Sequence, residues 1–289
     1  MNKLLIVADL EDGGYATSRG LELADKTGMD AEVVAFTYAP LAALKVGKKE
    51  QNSIKQRLLE DREGVVQARI DEHRREGQNV RLHVVWEKNI DNWINRQCAK
   101  GKYAQVLKTG NRTETLVHTS TDWELLRNCP VPVLLVSQKR WHRARPVMVA
   151  LDLSTSVATK KTLNEKVLTA AKALASSLGV DLEIIVALEV PTLLADLDLV
   201  DPDSYARDMR EQMQPLISRL AKKFELPESA FYCKRGPVEK VITSRAAKVR
   251  AQIVVMGTVG RRGVKARLLG NTAEKVLRHL KTDVLAIKP

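Results

Sequence analysis

The stretch Ile253-Val-Val-Met256-Gly257-Thr-Val-Gly260-Arg-Arg-Gly263-Val-Lys-Ala-Arg-Leu-Leu-Gly270-Asn-Thr272 joins a short apolar segment to an amphipathic one, in which Ala273, Val276, Leu277 and Leu280 recur at helical spacing. A β-branched run, a glycine-rich segment and a 3.6-residue period predict strand, loop and helix. A loop that leaves a parallel strand and enters a helix turns backbone N–H groups toward whatever lies at the strand ends, and the helix dipole favours an anion there. Arg261, Arg262, Lys265 and Arg267 make this loop basic, with no acid among them. A phosphate-bearing ligand is the first expectation.

Working outward, the same alternation of short apolar runs and helical runs fills the chain twice. Leu4–Leu10, Ala31–Tyr38, Val80–Trp86, Ala104–Lys108 and Val131–Val136 read as strands. Helices are expected at Tyr15–Lys26, Gln51–Arg75, Ile90–Lys100 and Asp122–Asn128. The basic stretch Gln138-Lys-Arg-Trp-His-Arg-Ala-Arg145 reads as a linker, after which the order restarts. Val147–Leu151 answers Leu4–Ala8, with Asp152 in the place of Asp9. The second set of strands continues at Leu182–Leu188, Phe231–Lys234, Ile253–Met256 and Val284–Ile287. Its helices are expected at Lys161–Leu178, Tyr205–Phe224, where Pro215 is placed to kink the helix, and Glu239–Val249. Trp123–Val136 and Glu274–Ile287 are the best internal match. The chain therefore divides into a first domain at 1–137, a linker at 138–145 and a second domain at 146–289. Nearly continuous apolar strands alternating with helices predict an α/β fold with two tandem, doubly wound, five-stranded parallel sheets.

A length of 289 residues accommodates two such domains, and 44% hydrophobic with 28% charged residues describes an ordinary globular chain. No apolar run reaches the roughly 18 residues that cross a bilayer, and Leu4–Ala8 is too short for a signal peptide. Cys98, Cys129 and Cys233 form no CxxC pair, so neither a zinc site nor a disulfide framework is expected, and a reducing cytoplasm is. The five histidines show no HxH or HExxH spacing; His118 and Asp122 lie four apart, as hydrogen-bonded neighbours often do. Of the formal charge of +12, residues 234–289 supply +11, from 14 Lys and Arg against 3 acids. Aromatics are only 4% and no RNP-like or zinc-finger pattern accompanies the charge, which argues against sequence-specific nucleic-acid binding.

Walker A spacing is absent, and Leu151-Asp-Leu-Ser-Thr-Ser156 has none of the glycines of a dinucleotide fingerprint. The glycine spacing that does occur is G-x2-G-x9-G at Gly257, Gly260 and Gly270, combined with Asp152 at the end of the domain's first strand. On Thr121-Asp-Trp-Glu-Leu-Leu-Arg-Asn-Cys-Pro130, Val255-Met-Gly-Thr-Val-Gly-Arg261 and Gly270-Asn-Thr-Ala-Glu274 the chain resembles the universal stress protein family, specifically its tandem, E-type members, over essentially its full length. The resemblance implies an adenine-nucleotide alpha-hydrolase-like fold, with the two domains packed as an intramolecular pseudo-dimer through their last strands. It implies ATP or a related adenine nucleotide, with or without Mg, in the second domain. Asp152 would meet the adenosine end, the backbone of Val186 and Ala187 the adenine, and Gly257, Gly260, Gly270, Asn271 and Thr272 the ribose and phosphates. A role as cytoplasmic stress regulator or sensor follows from the resemblance alone, as do an unidentified protein partner and further homodimerisation. The alternatives are a weak ATPase and an interaction module whose pockets hold another small molecule or none. Neither an SGGxDS loop nor an HIGH tetrapeptide is present to support an enzyme.

The chain departs from the family pattern in two places. Asn271 stands where nucleotide-binding members usually carry Ser or Thr, and the hydroxyl comes one residue later at Thr272. In the first copy, Lys108-Thr-Gly-Asn-Arg-Thr-Glu-Thr-Leu-Val-His-Thr119 is about three residues shorter, keeps one glycine and carries Glu114, so ATP binding in the usual manner is not expected there. Simpler readings stand beside these. Asn271 with Glu274, and Thr121 with Glu124, have capping-box spacing, and Asp152 or Ser154 could cap the following helix. Gly257 could serve a turn, Gly270 close helix packing, the basic residues a solvated loop, and Cys233 the core.

Overall fold

The computed structural model describes residues 3–10, 13–110, 121–139, 141–191, 193, 197–258 and 271–289. The chain forms two compact units, Met1–Gln138 and Lys139–Pro289. In the first, β1 (Lys3–Val7), α1 (Tyr15–Thr27), β2 (Asp30–Thr37), α2 (Lys48–His73), β3 (Val80–Trp86), α3 (Ile90–Ala99), β4 (Gln105–Thr109), α4 (Thr121–Asn128) and β5 (Val133–Val136) follow one another. In the second, the order is β6 (Val147–Ala150), α5 (Ala158–Leu178), β7 (Leu182–Leu188), α6 (Pro202–Lys223), β8 (Phe231–Arg235), α7 (Val238–Val249), β9 (Ile253–Gly257), α8 (Asn271–His279) and β10 (Asp283–Ile287).

Each unit has a parallel five-stranded sheet, ordered β3-β2-β1-β4-β5 in the first and β8-β7-β6-β9-β10 in the second. Successive strand residues face opposite sides of a sheet, so consecutive buried residues mean that both faces are covered. Leu4, Leu5 and Ile6 in β1, and Val147, Met148 and Val149 in β6, are all fully buried. Each such side chain contributes about 1.5–3 kcal/mol relative to exposure, which makes the central strands the anchor of each core. The edge strands β3 and β8 are more open, as their position demands.

Helix boundaries follow local chemistry. Asp201 caps α6, its carboxylate accepting the Ser204 N–H at 2.7 Å with Pro202 behind it at the first helical position. The helix runs on through Pro215, which has no N–H to give the preceding turn. No helix among the described residues is long and apolar enough to cross a membrane.

One polar cluster is built into the first sheet. Glu32 on β2 accepts hydrogen bonds from the Tyr103 hydroxyl and from Lys3 Nζ at 3.2 Å, with His83 Nε2 3.5 Å away. Burial pushes the Glu32 carboxyl up, but the Tyr103 hydrogen bond and the Lys3 ammonium outweigh it and hold the group below the usual range. The Tyr103 phenol is pushed up, first by burial and then by its bond to Glu32. A carboxyl depressed in the folded state stabilises fully above its unfolded value, and that contribution disappears as pH falls through the folded value. Glu32→Gln should therefore lower the urea midpoint of the first unit at neutral pH and flatten its decline on acidification through the carboxylate range. Urea titrations of both proteins across that range check this.

Candidate functional site

In both units the central strand has neighbours that the chain reaches by leaving in opposite directions, and the crevice at such a switch point opens at the carboxyl ends of the strands. In the second unit these ends are Leu151–Asp152 after β6, Ala187–Leu188 on β7 and Gly257–Thr258 on β9. The last rung between β6 and β7 is the Leu151 N–H donating to Ile185 O at 3.1 Å. Peptide groups alternate in direction along a strand, so Val186, paired with Cys233, points its N–H and C=O at β8, as Leu188 does in accepting from the Gly236 N–H. Ala187 points its own toward the β6 side, one rung beyond the end of that ladder. Of the two residues expected to present backbone to a ligand, only Ala187 is placed to do so; Val186 is spent on the sheet and its side chain is fully buried.

Asp152 is anchored through its backbone and half-exposed at its carboxylate. Asn164 on α5 donates Nδ2–H to Asp152 O at 2.6 Å and accepts the Asp152 N–H at 3.3 Å. The carboxylate accepts from Ser154 Oγ at 2.8 Å and from Lys160 Nζ at 3.3 Å. Neither Asp152 nor Ser154 caps α5, which begins three residues earlier than its periodicity suggests, with Val157 at the N-cap and no side-chain cap. Lys160 and Asn164, four apart on one helix face, meet Asp152 although no motif marks them. Their spacing from Asp152 was visible, but nothing in the sequence says that this face turns back onto the strand end.

Gly257 closes β9 opposite Ile287. A Cβ there would lie 2.8 Å from Leu163 Cδ2 and 3.0 Å from Leu163 Cγ, so close packing of α5 accounts for this glycine without a ligand. Thr258 is buried, and its N–H donates to Ile287 O at 2.8 Å. Gly260, Gly270 and the basic residues Arg261, Arg262, Lys265 and Arg267 lie outside the described residues, as do Glu114 and His118. Asn271 is the first residue of α8, and Thr272, the second, is exposed. Thr121 likewise is the first residue of α4. The helix starts on which the two capping-box readings turn, Thr121 with Glu124 and Asn271 with Glu274, border residues that lie outside the described ones. Cys233 is only half-buried, with burial pushing its thiol up. Among the described residues no group of three or more His, Cys, Asp or Glu side chains could hold a metal.

The sheet registers superpose the two crevices residue by residue. The Ala8 N–H donates to Val34 O at 2.9 Å as Leu151 does to Ile185, so Asp9 answers Asp152 and Phe36 answers Ala187. Val7 pairs with Lys108 as Ala150 pairs with Met256, which sets Thr109 against Gly257 and Gly110 against Thr258. The glycine retained by the first copy is thus one residue past the strand-end position. Asp9 is also used differently: its carboxylate accepts the Ala16 N–H at 3.2 Å and so holds the start of α1.

Two doubly wound α/β units, each with a crevice at its switch point, define a tandem α/β protein whose second copy alone carries the three-glycine spacing after its fourth strand. The profile of the universal stress protein family matches residues 144–288. The chain is 29% identical over 296 residues to universal stress protein E of Salmonella typhi, covering all of this chain and 94% of the relative. It is 32% identical over 220 residues to universal stress protein E of Photorhabdus laumondii, covering 74% of this chain and 70% of that one. In fold it is similar to the crystal structure of a functionally unknown protein from Pseudomonas aeruginosa PAO1, with a TM-score of 0.69 at 22% identity over 100% of this chain and 93% of that chain. The chain belongs to the universal stress protein family.

The Gly257 contact yields a test independent of any ligand. Gly257→Ala should cost about 1–3 kcal/mol of stability, the usual penalty for overpacking a filled site, because Leu163 and α5 must move. Thermal unfolding without added ligand reads it directly.

Proposed function

We propose that the second unit binds an adenine nucleotide, ATP, at the crevice bounded by Asp152, Ala187 and Gly257, and that the chain serves as a cytoplasmic stress regulator or sensor rather than as an enzyme. The observation that carries this reading is the position of the G-x2-G-x9-G stretch. It leaves β9 at the switch point, beside an aspartate fixed by Asn164 and beyond a ladder that ends one rung short of Ala187. A half-exposed carboxylate suits ribose or adenine hydrogen bonding, and the Ala187 peptide supplies one donor and one acceptor to a base edge. Gly260, Gly270, Asn271 and Thr272 are proposed to hold ribose and phosphates through backbone N–H groups and short polar side chains, with the α8 dipole behind them. Lys160, now paired with Asp152, is a cation at the rim of the same crevice.

Equilibrium dialysis of the full chain with radiolabelled ATP tests the reading. Wild-type protein should bind, and Gly270→Asp, which sets an acid and a side chain at the last loop glycine, should weaken binding at least about tenfold, roughly 1.4 kcal/mol. Undiminished affinity in that variant overturns the assignment of the loop.

A further inference from the structure

Residues 234–289 hold +11 of the formal charge of +12, and the described cations among them concentrate on α7, α8 and the residues that close these two helices. α7 and α8 pack against each other. Each connects two strands of the same parallel sheet, so both run against the strands and alongside one another. α7 buries Val241, Ile242 and Ala246, and α8 buries Ala273, Val276 and Leu277, which sets their other positions outward. On that outer side stand Lys240, Lys248 and Arg250 from α7 and its C-cap, and Lys275, Arg278 and Lys281 from α8 and the turn after it, all exposed.

None of these six cations stands in an ion pair among the described residues. The two acids of the helices, Glu239 and Glu274, are half-buried, and Asp283 is buried at the start of β10. Glu183 is held by Arg245 through hydrogen bonds of 2.5 and 2.8 Å. Residues 259–270, outside the described ones, contain four cations and no acid, so they cannot cancel the excess. A helix dipole draws cations to the last turn, which accounts for Lys248 and Arg278. It does not account for Lys240 in the first turn of α7 or for Lys275 midway along α8. Like charges at such spacings repel and cost stability, so helix chemistry alone gives no reason to gather them.

The rest of the face selects the partner. Among the described residues every exposed large apolar side chain lies before residue 200, so none is on α7 or α8. Protein interfaces are centred on apolar and aromatic anchors, and a helix that enters a membrane surface needs an apolar face. No aromatic residue follows Tyr232, so unpaired bases have nothing to stack on. What the face offers is ammonium and guanidinium groups beside the exposed Ser244 and Thr272, the groups that contact phosphate and sugar. Lys240 and Lys248 are about 12 Å apart along α7 at about 1.5 Å per residue, a length over which duplex DNA carries about seven charges. We propose that the outer face of α7 and α8 is a docking surface for double-stranded nucleic acid, held by its phosphates without sequence readout. This assignment does not depend on what either crevice binds.

Fluorescence anisotropy of the full chain with a labelled DNA duplex of mixed sequence tests this. Wild-type protein should bind saturably at low salt, and log affinity should fall linearly with log salt at a slope of about −0.9 per phosphate neutralised. A duplex of unrelated sequence should bind alike, and the single strand more weakly. Lys275→Gln with Arg278→Gln and Lys281→Gln should lower affinity at least about tenfold and make the slope shallower by about 2–3. Should thermal unfolding show that this variant is misfolded, Lys240→Gln with Lys248→Gln and Arg250→Gln removes the same charge from α7. Lys48→Gln with Lys49→Gln and Arg57→Gln makes an equal change in net charge at exposed positions of α2 and should leave both quantities nearly unchanged. No saturable binding at low salt, an equal loss from the α2 variant, a marked preference between the two duplexes, or poly-L-glutamate binding as tightly as the duplex at equal charge would each overturn the proposal.

Discussion

Both crevices depend on one constraint, the burial of β1 and β6 on both faces and both edges. A strand so enclosed has its peptide groups satisfied along its length only while its neighbours run beside it, and at its carboxyl end the neighbours diverge. Leu151 and Ala8 make the last bonds of their ladders, to Ile185 and Val34. Beyond them the sheet stops using the backbone of Ala187 and Phe36, which leaves peptide groups at a concave edge. The site is thus a consequence of how a parallel sheet ends, and the side chains at the rim decide what it holds.

Those rim side chains differ between the copies in ways that the shared fold makes comparable. Lys108 occupies the register position of Met256, and Thr109 that of Gly257. In the second unit the strand end is apolar and small, leaving room for Leu163 to press in from α5. In the first it carries a cation already answered by Asp122. The aspartates after the central strands diverge as well, Asp9 fixing the start of α1 and Asp152 facing Ser154 and Lys160.

Strands were the most legible part of the sequence, because burial on both faces forces apolar runs at the sheet centre and the edge strand β3 keeps an apolar-polar alternation over Val80–His83; β3 and β7 begin and end where their runs do. Helix starts were less so. The first turn of α5, Ala158-Thr-Lys160, carries no periodic apolar signal, and α2 buries only Val66 and Ile70 along 26 residues. Asp152 and Gly257 could be found because a strand end and a glycine leave local marks. The Asn164 brace, the Lys108 pair with Asp122 and the hydrogen-bonded thiols of Cys98 and Cys129 could not, since each joins residues 12 or more positions apart whose meeting is fixed by packing alone.

The Lys108–Asp122 pair also explains why the two crevices do not grade into one another. Removing one partner of a buried ion pair strands the other charge, commonly at a cost of about 3–5 kcal/mol, whereas replacing both by apolar groups is often neutral. Asp122 alone would retain some support from the N-terminus of α4, in whose first turn it lies. Lys108 alone would keep the Thr109 carbonyl but, among the described residues, no carboxylate in ion-pair contact. A first crevice with the chemistry of the second therefore requires both side chains to change together, and until they do the ammonium remains unavailable to a phosphate.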